Sequence, residues 1–171
     1  MSTDSWDPGQ YSKFLSERSA PFFDLLDLVE PRRGMRVVDL GCGTGELTRQ
    51  LHERLAAAQT LGIDRSARML EKTTAFAAPG LRFERGSAEE FVPDAPFDLV
   101  FSNAALHFVV GHETFWPRLA SFLAPGGQVA VHLPANQDHP THVTAREVAS
   151  EAPFAAALGG YVHPTHVLPV E

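Results

Sequence analysis

A glycine-rich run between a strand and a helix constrains the fold of this chain more than any other feature. Residues 37–47 read Val-Val-Asp-Leu-Gly-Cys-Gly-Thr-Gly-Glu-Leu, with β-branched residues before an acid and glycines at alternate positions after it. Glycines let the backbone turn sharply and let a ligand lie against main-chain atoms. In open α/β sheets, nucleotide-like ligands bind where a strand ends and the next helix begins. The run therefore predicts such a binding turn.

The spacing of the glycines separates two classes of cofactor. The dinucleotide fingerprint is Gly-x-Gly-x-x-Gly; here Gly41 and Gly43 fit its first two positions, but Glu46 occupies the third. A carboxylate at that point would repel a pyrophosphate at the start of a helix. S-adenosylmethionine carries a sulfonium cation, an ammonium group and a carboxylate but no phosphate, so it suits an acid-tipped turn better. A plain glycine-rich turn without a ligand is the alternative.

The composition excludes several classes of function. Its 21 acidic side chains against 14 Lys plus Arg give the 171-residue chain a formal net charge of −7. Nucleic acids are bound through basic side chains that neutralise phosphates, so no nucleic-acid partner is expected. The single cysteine, Cys42, forms no internal disulfide, which fits a reducing compartment. Residues 1–10 lack a leader pattern, and no apolar run reaches the roughly 18 residues of a membrane span. We expect a cytoplasmic protein with a small-molecule substrate.

Strand and helix patterns alternate along the chain. The predicted strands are residues 35–40, 59–63, 81–85, 97–102 and 128–133. The predicted helices are residues 12–19, 21–29, 45–57, 66–77, 113–123 and 141–150. The first two are separated at Pro21, because the residue before a proline avoids the helical region, and Ser66 is expected to cap the fourth. The alternation predicts an α/β fold with a Rossmann-like, doubly wound, mostly parallel sheet.

The predicted sheet divides the chain into three parts: a helical cap segment (1–34), a cofactor-binding core (35–134), and a helix with an irregular tail (135–171). His-Pro-Thr-His occurs at residues 139–142 and again at 163–166. Two histidines at that spacing can share a metal ion, but no Cys or acid joins them at ligand spacing. We therefore expect no metal site and interpret both segments as loops or helix starts.

Acids at the ends of the first two strands are the first candidate site residues. Asp39 can organise the turn and balance the positive end of a cofactor, or it can only cap the turn. Gly41 and Gly43 would offer main-chain contact to the methionine part of the cofactor. Asp64 can accept hydrogen bonds from both hydroxyls of a ribose, or it can cap the helix near Ser66. Dinucleotide-binding proteins share an acid like Asp64, so that residue does not distinguish the cofactors.

Polar residues also follow the third and fourth strands. Ser87, Ala88 and Glu89 follow the third strand, and from the residues alone an ordinary polar turn is the interpretation. Asn103 can offer its carbonyl oxygen to the ammonium group of a cofactor. His107 can act as a base or as a donor facing an anion, and a packing role is the alternative.

The segment Asp-Leu-Gly-Cys-Gly-Thr-Gly resembles the first motif of the class I S-adenosylmethionine-dependent methyltransferases. The resemblance implies the cofactor S-adenosylmethionine, with S-adenosylhomocysteine as product, and an adenine contact from the loop after the third strand. That family often has Asp where Ser87 stands here. The implied cofactor contacts are Asp39, Gly41, Gly43, Asp64, Arg65, Met69, Ser87, Ala88, Glu89 and Asn103.

Further segments resemble the trans-aconitate 2-methyltransferase family. They are Trp6-Asp7-Pro8-x-x-Tyr11, Ser102-Asn103-Ala104-x-Leu106, the turn at 123–127 and Pro140-Thr141-His142-Val143. The resemblance implies an enzyme that esterifies a carboxylate of a small polycarboxylic acid such as trans-aconitate. It also implies that Tyr11 and Arg18 cover the cofactor, with Arg18 either meeting a carboxylate or lying on a helix surface. The catalytic candidates are Tyr11, Arg18 and His107.

Class I methyltransferases usually finish with two more strands than are predicted here. Without those two strands, the fifth strand would have an exposed apolar edge. We expect either self-association across that edge or an incomplete chain. The other functions left open are a methyltransferase for another small acid or secondary metabolite, and a truncated cofactor-binding homologue without activity. A nucleotide-dependent oxidoreductase is disfavoured by Glu46.

Overall fold

The described part of the chain, residues 15–162 and residue 167 of a computed structural model, is organised around one five-stranded sheet. Its strands are β1 (Arg36–Leu40), β2 (Gln59–Asp64), β3 (Leu81–Arg85), β4 (Phe97–Asn103) and β5 (Leu123–His132). They lie in the order β3-β2-β1-β4-β5, and every pairing is parallel. The predicted doubly wound α/β fold is confirmed. The order changes direction between β1 and β4, which defines the crevice where such sheets bind ligands.

Helices connect the strands and follow the last one. They are α1 (Leu15–Asp27), α2 (Glu46–Arg54), α3 (Ala67–Leu70), α4 (His112–Ala120), α5 (Pro140–Ser150) and α6 (Phe154–Ala157). Single 3₁₀ turns occur at Thr73–Ala75 and at Leu106–Phe108. Within residues 15–162, no helix is both long enough and apolar enough to cross a bilayer.

The central strands of the sheet are buried on both faces: successive side chains of a strand point to opposite sides, and each side is covered. Val37 belongs to a cluster that includes Phe22 and Leu26 of α1. Val38 belongs to a second cluster, which includes Phe115 and Leu119 of α4. Burial on both sides explains why β1 and β4 carry runs of consecutive apolar residues, 37–38 and 99–101. It also shows that α1 packs directly on the sheet; the division into cap, core and tail stays a prediction.

Two predicted helix boundaries are wrong. Pro21 lies inside α1 and does not separate two helices, because burying Phe22 and Leu26 against the sheet outweighs the one hydrogen bond that a proline removes. The helix capped by Ser66 ends at Leu70 and gives way to a 3₁₀ turn. There the Thr73 hydroxyl donates to the Leu70 carbonyl at 2.7 Å, a local bond that competes with a continued helix. The cap itself is confirmed, since the Ser66 hydroxyl accepts from the Met69 N–H at 3.2 Å.

Strand β5 forms one edge of the sheet within the described residues. Residues 124–127, predicted as a turn before this strand, lie inside it as an irregularity: Phe97 pairs with Leu123, and Leu99 pairs with Gln128. None of the residues of β5 is fully buried, and Val129 is 42% exposed. Within the described residues, β5 pairs only with β4, so its outer edge is unpaired, and the expectation of an apolar edge stays a prediction.

Candidate active site

A cleft opens at the carboxyl ends of β1 to β4, where the strand order changes direction. It contains nine of the residues predicted from the sequence: Gly41, Gly43, Asp64, Arg65, Met69, Ser87, Ala88, Glu89 and Asn103. Its remaining walls were not predicted and are mainly apolar: Ile63, Gly86, Ala104, Ala105, Leu106, Phe108 and Val109. The parallel topology brings these loops together because all strand ends of one direction meet at the same edge.

The glycine turn is built from backbone conformations that other residues rarely adopt. Gly41, Gly43 and Gly45 have φ angles of 87°, 56° and 83°. The N–H of Gly41 donates to the carbonyl of Ile63 at 2.8 Å, which ties the turn to β2. A Cβ on Gly41 would lie 2.1 Å from the Cβ of Ala105, in the loop after β4. Glycine at this position therefore satisfies both the φ angle and the close contact between two loops.

Asp64 fixes the turn from the opposite side. One carboxylate oxygen accepts from the N–H of Gly43 at 2.9 Å, and the other accepts from the N–H of Ser66 at 2.8 Å. A carboxylate has about four lone-pair sites, so each oxygen can still accept a bond from a ligand. The capping and ligand-binding interpretations of Asp64 are therefore compatible.

Asp39 lies beneath the glycine turn and outside the cleft lining. It is only 3% exposed, and the Thr48 hydroxyl donates to its carboxylate at 2.6 Å. Burial raises the pKa of Asp39 to about 7, the Thr48 hydrogen bond opposes the rise, and the charge of Asp64 adds to it. A direct contact between Asp39 and a cofactor stays a prediction. Thr48 was missed, although it follows the motif by only a few residues.

Cys42 occupies the middle of the same turn and is 8% exposed. Burial raises the pKa of its thiol well above the ordinary range, and the neighbouring charges of Asp39 and Asp64 act in the same direction. The thiol is therefore protonated at neutral pH.

Asn103 has a side-chain partner that the sequence did not reveal. Its Oδ1 atom lies 2.9 Å from Nδ1 of His132, and the two residues pair across β4 and β5. In the tautomer with a proton on Nδ1, His132 donates and thereby orients the amide toward the cleft. His132 could have been predicted as a partner, because it is a polar residue at the end of the strand adjacent to the one that contains Asn103.

The loop after β4 places Phe108 between the cleft and a second hollow, which His107 also lines. The rings of Phe108 and His107 lie 3.9 Å apart between centroids, tilted by 42°, and the Arg65 guanidinium lies 5.4 Å from the centroid of the Phe108 ring. Buried His112 supports the loop, with Nε2 2.9 Å from the carbonyl oxygen of Leu106. His107 therefore lies at the border of the cleft and does not belong to its lining.

Only some of the remaining candidates lie within the described part of the chain. Tyr11 and the side chain of Arg18 lie outside the described residues, as does the segment 163–166. The segment 139–142 starts α5, as predicted: the side chain of His139 accepts from the N–H of Thr141. Over residues 15–162, no three His, Cys, Asp or Glu side chains are grouped to hold a metal ion.

The comparisons with known proteins agree with this geometry. A family model described as a methyltransferase domain matches residues 37–127, more than half of the chain. The chain therefore belongs to the methyltransferase-domain family. A protein named trans-aconitate 2-methyltransferase from Deinococcus radiodurans is 46% identical over 92% of this chain and 59% of its own length. The chain thus spans about three fifths of that curated relative.

Two solved structures share the fold. An S-adenosylmethionine-dependent methyltransferase from Mesorhizobium loti has a TM-score of 0.59 and 33% identity, over 66% of this chain and 52% of its own. A methyltransferase from Thiobacillus denitrificans, solved with S-adenosylhomocysteine, has a TM-score of 0.55 and 26% identity, over 71% of this chain and 52% of its own. The prediction of an S-adenosylmethionine-dependent methyltransferase is confirmed at the level of the family.

Gly41→Ala tests the contact between the two loops. We expect it to reduce the free energy of unfolding by more than Gly34→Ala, which also has a positive φ but no atom within 4 Å of an added Cβ. Both changes carry the left-handed cost of about 1–2 kcal/mol, and only the first adds a clash with Ala105. Urea unfolding measures the difference. Adding Ala105→Gly to Gly41→Ala should recover part of it, and equal losses in the two single variants would contradict the contact.

Asp39→Asn tests the buried proton. Between the ordinary carboxyl pKa of about 4 and the raised value of about 7, the folded chain holds a proton that the unfolded chain has released. The stabilisation that this bound proton contributes is complete below a pH of about 4 and is lost as the pH rises to about 7. The free energy of unfolding of the wild type should therefore fall relative to that of Asp39→Asn across this window. Urea unfolding of both proteins at several pH values measures this. A difference that stays constant with pH would show that Asp39 is ionised throughout.

Proposed function

We propose that this chain binds S-adenosylmethionine in the cleft and esterifies a carboxylate of a small polycarboxylic acid, with trans-aconitate as the first acceptor to test. The observation that carries the proposal is the convergence of nine predicted contact residues on one cleft. Its position beside a second hollow leaves room for an acceptor next to the donor. The relatives named trans-aconitate 2-methyltransferase support the choice of acceptor.

The chemistry of the cleft fits this cofactor. Gly41 and Gly43 bring main-chain atoms to the cleft without a Cβ, which suits close contact with the methionine part. The carboxylates of Asp64 and Glu89 favour a cationic ligand over a pyrophosphate. The one Lys or Arg in the described lining, Arg65, lies over the ring of Phe108. The cleft is therefore suited to a positively charged nucleoside.

Each group of residues has a proposed task. Asp64 accepts from the ribose hydroxyls with the lone pairs that Gly43 and Ser66 leave. Ser87, Ala88 and Glu89 contact the adenine; the Ser87 hydroxyl donates to Glu89 at 2.7 Å, which orders this loop. The proposed contacts to the methionine part and its surroundings come from Asn103, Arg65 and Met69.

Methyl transfer forms one oxygen–carbon bond and breaks one carbon–sulfur bond, whose electron pair stays on sulfur. A carboxylate acceptor is ionised at neutral pH and needs no general base. Alignment of the reacting atoms is then the main contribution of the protein, and it can supply roughly 7–11 kcal/mol in favourable cases. We accordingly assign His107 the task of a donor facing the anion. Tyr11 and Arg18 are proposed to cover the site.

Two measurements test this function. Calorimetry should show binding of S-adenosylhomocysteine and none of NAD. Incubation with S-adenosylmethionine and trans-aconitate should then give a monomethyl ester, detected by mass spectrometry. Binding without turnover would favour a cofactor-binding homologue without activity. Turnover only with other acids would overturn the assigned acceptor and keep the reaction type, and NAD binding would overturn the cofactor.

Asp64→Ala should weaken S-adenosylhomocysteine binding by about 1–3 kcal/mol, the range for lost hydrogen bonds to a charged group. Asp98→Ala is a matched control, because Asp98 also accepts a hydrogen bond from a main-chain N–H, that of Arg36 at 2.8 Å. Asp98 lies at the amino ends of the strands, away from the cleft. Calorimetry on both folded variants measures the effect. Equal affinities in the wild type and Asp64→Ala would remove the ribose assignment.

We also propose that copies of this chain associate along the edge formed by β5, where Val129 is 42% exposed. Exposed apolar edge strands promote pairing, and a lysine on the edge discourages it. Light scattering across a concentration series should show association that Val129→Lys reduces. A monomer at every concentration would contradict the proposal.

A further inference from the structure

The second hollow adjoins the cofactor cleft and shares Phe108 with it. It lies between the loop after β4, the segment after β5, helix α5 and the residues that follow α6, and its volume is about 520 Å³. Ligand pockets for small molecules commonly fall between about 300 and 1,000 Å³. The hollow is therefore large enough for a small acceptor placed next to the cofactor.

The lining of the hollow has a charge opposite to that of the cleft. Its polar side chains come from His107, Asn136, Gln137, His142, Arg146 and Tyr161. Among the described residues that line it, none is an Asp or Glu, whereas Asp64 and Glu89 line the cleft. This contrast occurs in a chain with a formal net charge of −7. The cleft thus favours a cation and the adjoining hollow an anion.

Arg146 supplies the fixed positive charge of the hollow. It is half-buried on α5, and within the described residues no carboxylate lies within 4.0 Å of its guanidinium. A guanidinium binds a carboxylate in a bidentate manner, and this pairing is among the stronger charge-assisted interactions. His142 lies four residues earlier on the same face of α5. The two side chains therefore present adjacent donors to one ligand.

We propose that Arg146 and His142 bind the carboxylates of the acceptor that do not receive the methyl group. The hollow would then select di- and tricarboxylates over monocarboxylates, because a monocarboxylate has no second anionic group for Arg146. The inference rests on the proposed function, since it assigns the hollow to the acceptor of that reaction. It adds the residues that determine substrate class.

Calorimetry with trans-aconitate and with the monocarboxylate crotonate tests the assignment on the full chain, with and without S-adenosylhomocysteine. The variants are Arg146→Gln and two controls. Arg33→Gln removes the same charge from an exposed position before β1, and Glu147→Gln changes the neighbouring residue on α5, which does not line the hollow. Arg146→Gln should weaken trans-aconitate binding at least about tenfold, and the controls should bind like the wild type. The preference for trans-aconitate over crotonate should fall in Arg146→Gln alone.

The outcomes separate this inference from the proposed function. Trans-aconitate binding that depends on Arg146 supports the inference even if no ester forms. Equal affinities in the wild type and Arg146→Gln, or equal losses in all three variants, overturn it even if the chain is an active methyltransferase. The inference is also overturned if the wild type does not bind trans-aconitate, either with or without S-adenosylhomocysteine. Loss of S-adenosylhomocysteine affinity in Arg146→Gln would instead indicate a general distortion of the fold. Arg146→Lys keeps the charge and is then the test: trans-aconitate binding by this variant supports the inference, and its absence overturns it.

Discussion

The carboxylate of Asp64 joins two loops, and the shape of the cleft depends on it. Its oxygens hold the N–H groups of Gly43 and Ser66 at 2.9 and 2.8 Å, so the glycine turn and the start of α3 are fixed relative to each other. Hydrogen bonds to an ionised acceptor are stronger than those between neutral groups. The same charge adds to the effect of burial on the pKa of Asp39. One side chain thus sets both the geometry and the local electrostatics of the site.

The cleft and the adjoining hollow lie on the two sides of Phe108 and carry side chains of opposite charge. Carboxylates line the cleft, while Arg146 and imidazoles line the adjoining hollow. A cationic donor and an anionic acceptor would each be repelled from the neighbouring position and attracted to their own. In the proposed reaction, the alignment of the two ligands would then follow from the position in which each is stable.

The features that could be predicted from the sequence are local ones. A glycine at positive φ and a serine cap such as Ser66 depend on only a few neighbouring residues. A run of consecutive apolar residues such as 99–101 likewise indicates a strand that is buried on both faces of a sheet. The features that were missed depend on tertiary packing. Pro21 lies within a helix because the helix face packs on the sheet, and His132 meets Asn103 through strand register. The burial of Asp39 likewise depends on what covers the turn, which spacing along the chain does not reveal.

The protonated thiol of Cys42 has a consequence for the proposed methyl transfer. Thiolates attack electrophilic carbon, whereas thiols at neutral pH react far more slowly. Burial and two nearby carboxylates keep this sulfur protonated in the middle of the glycine turn. The fold therefore holds a soft nucleophile in its unreactive form between Gly41 and Gly43, the two glycines that line the proposed cofactor cleft.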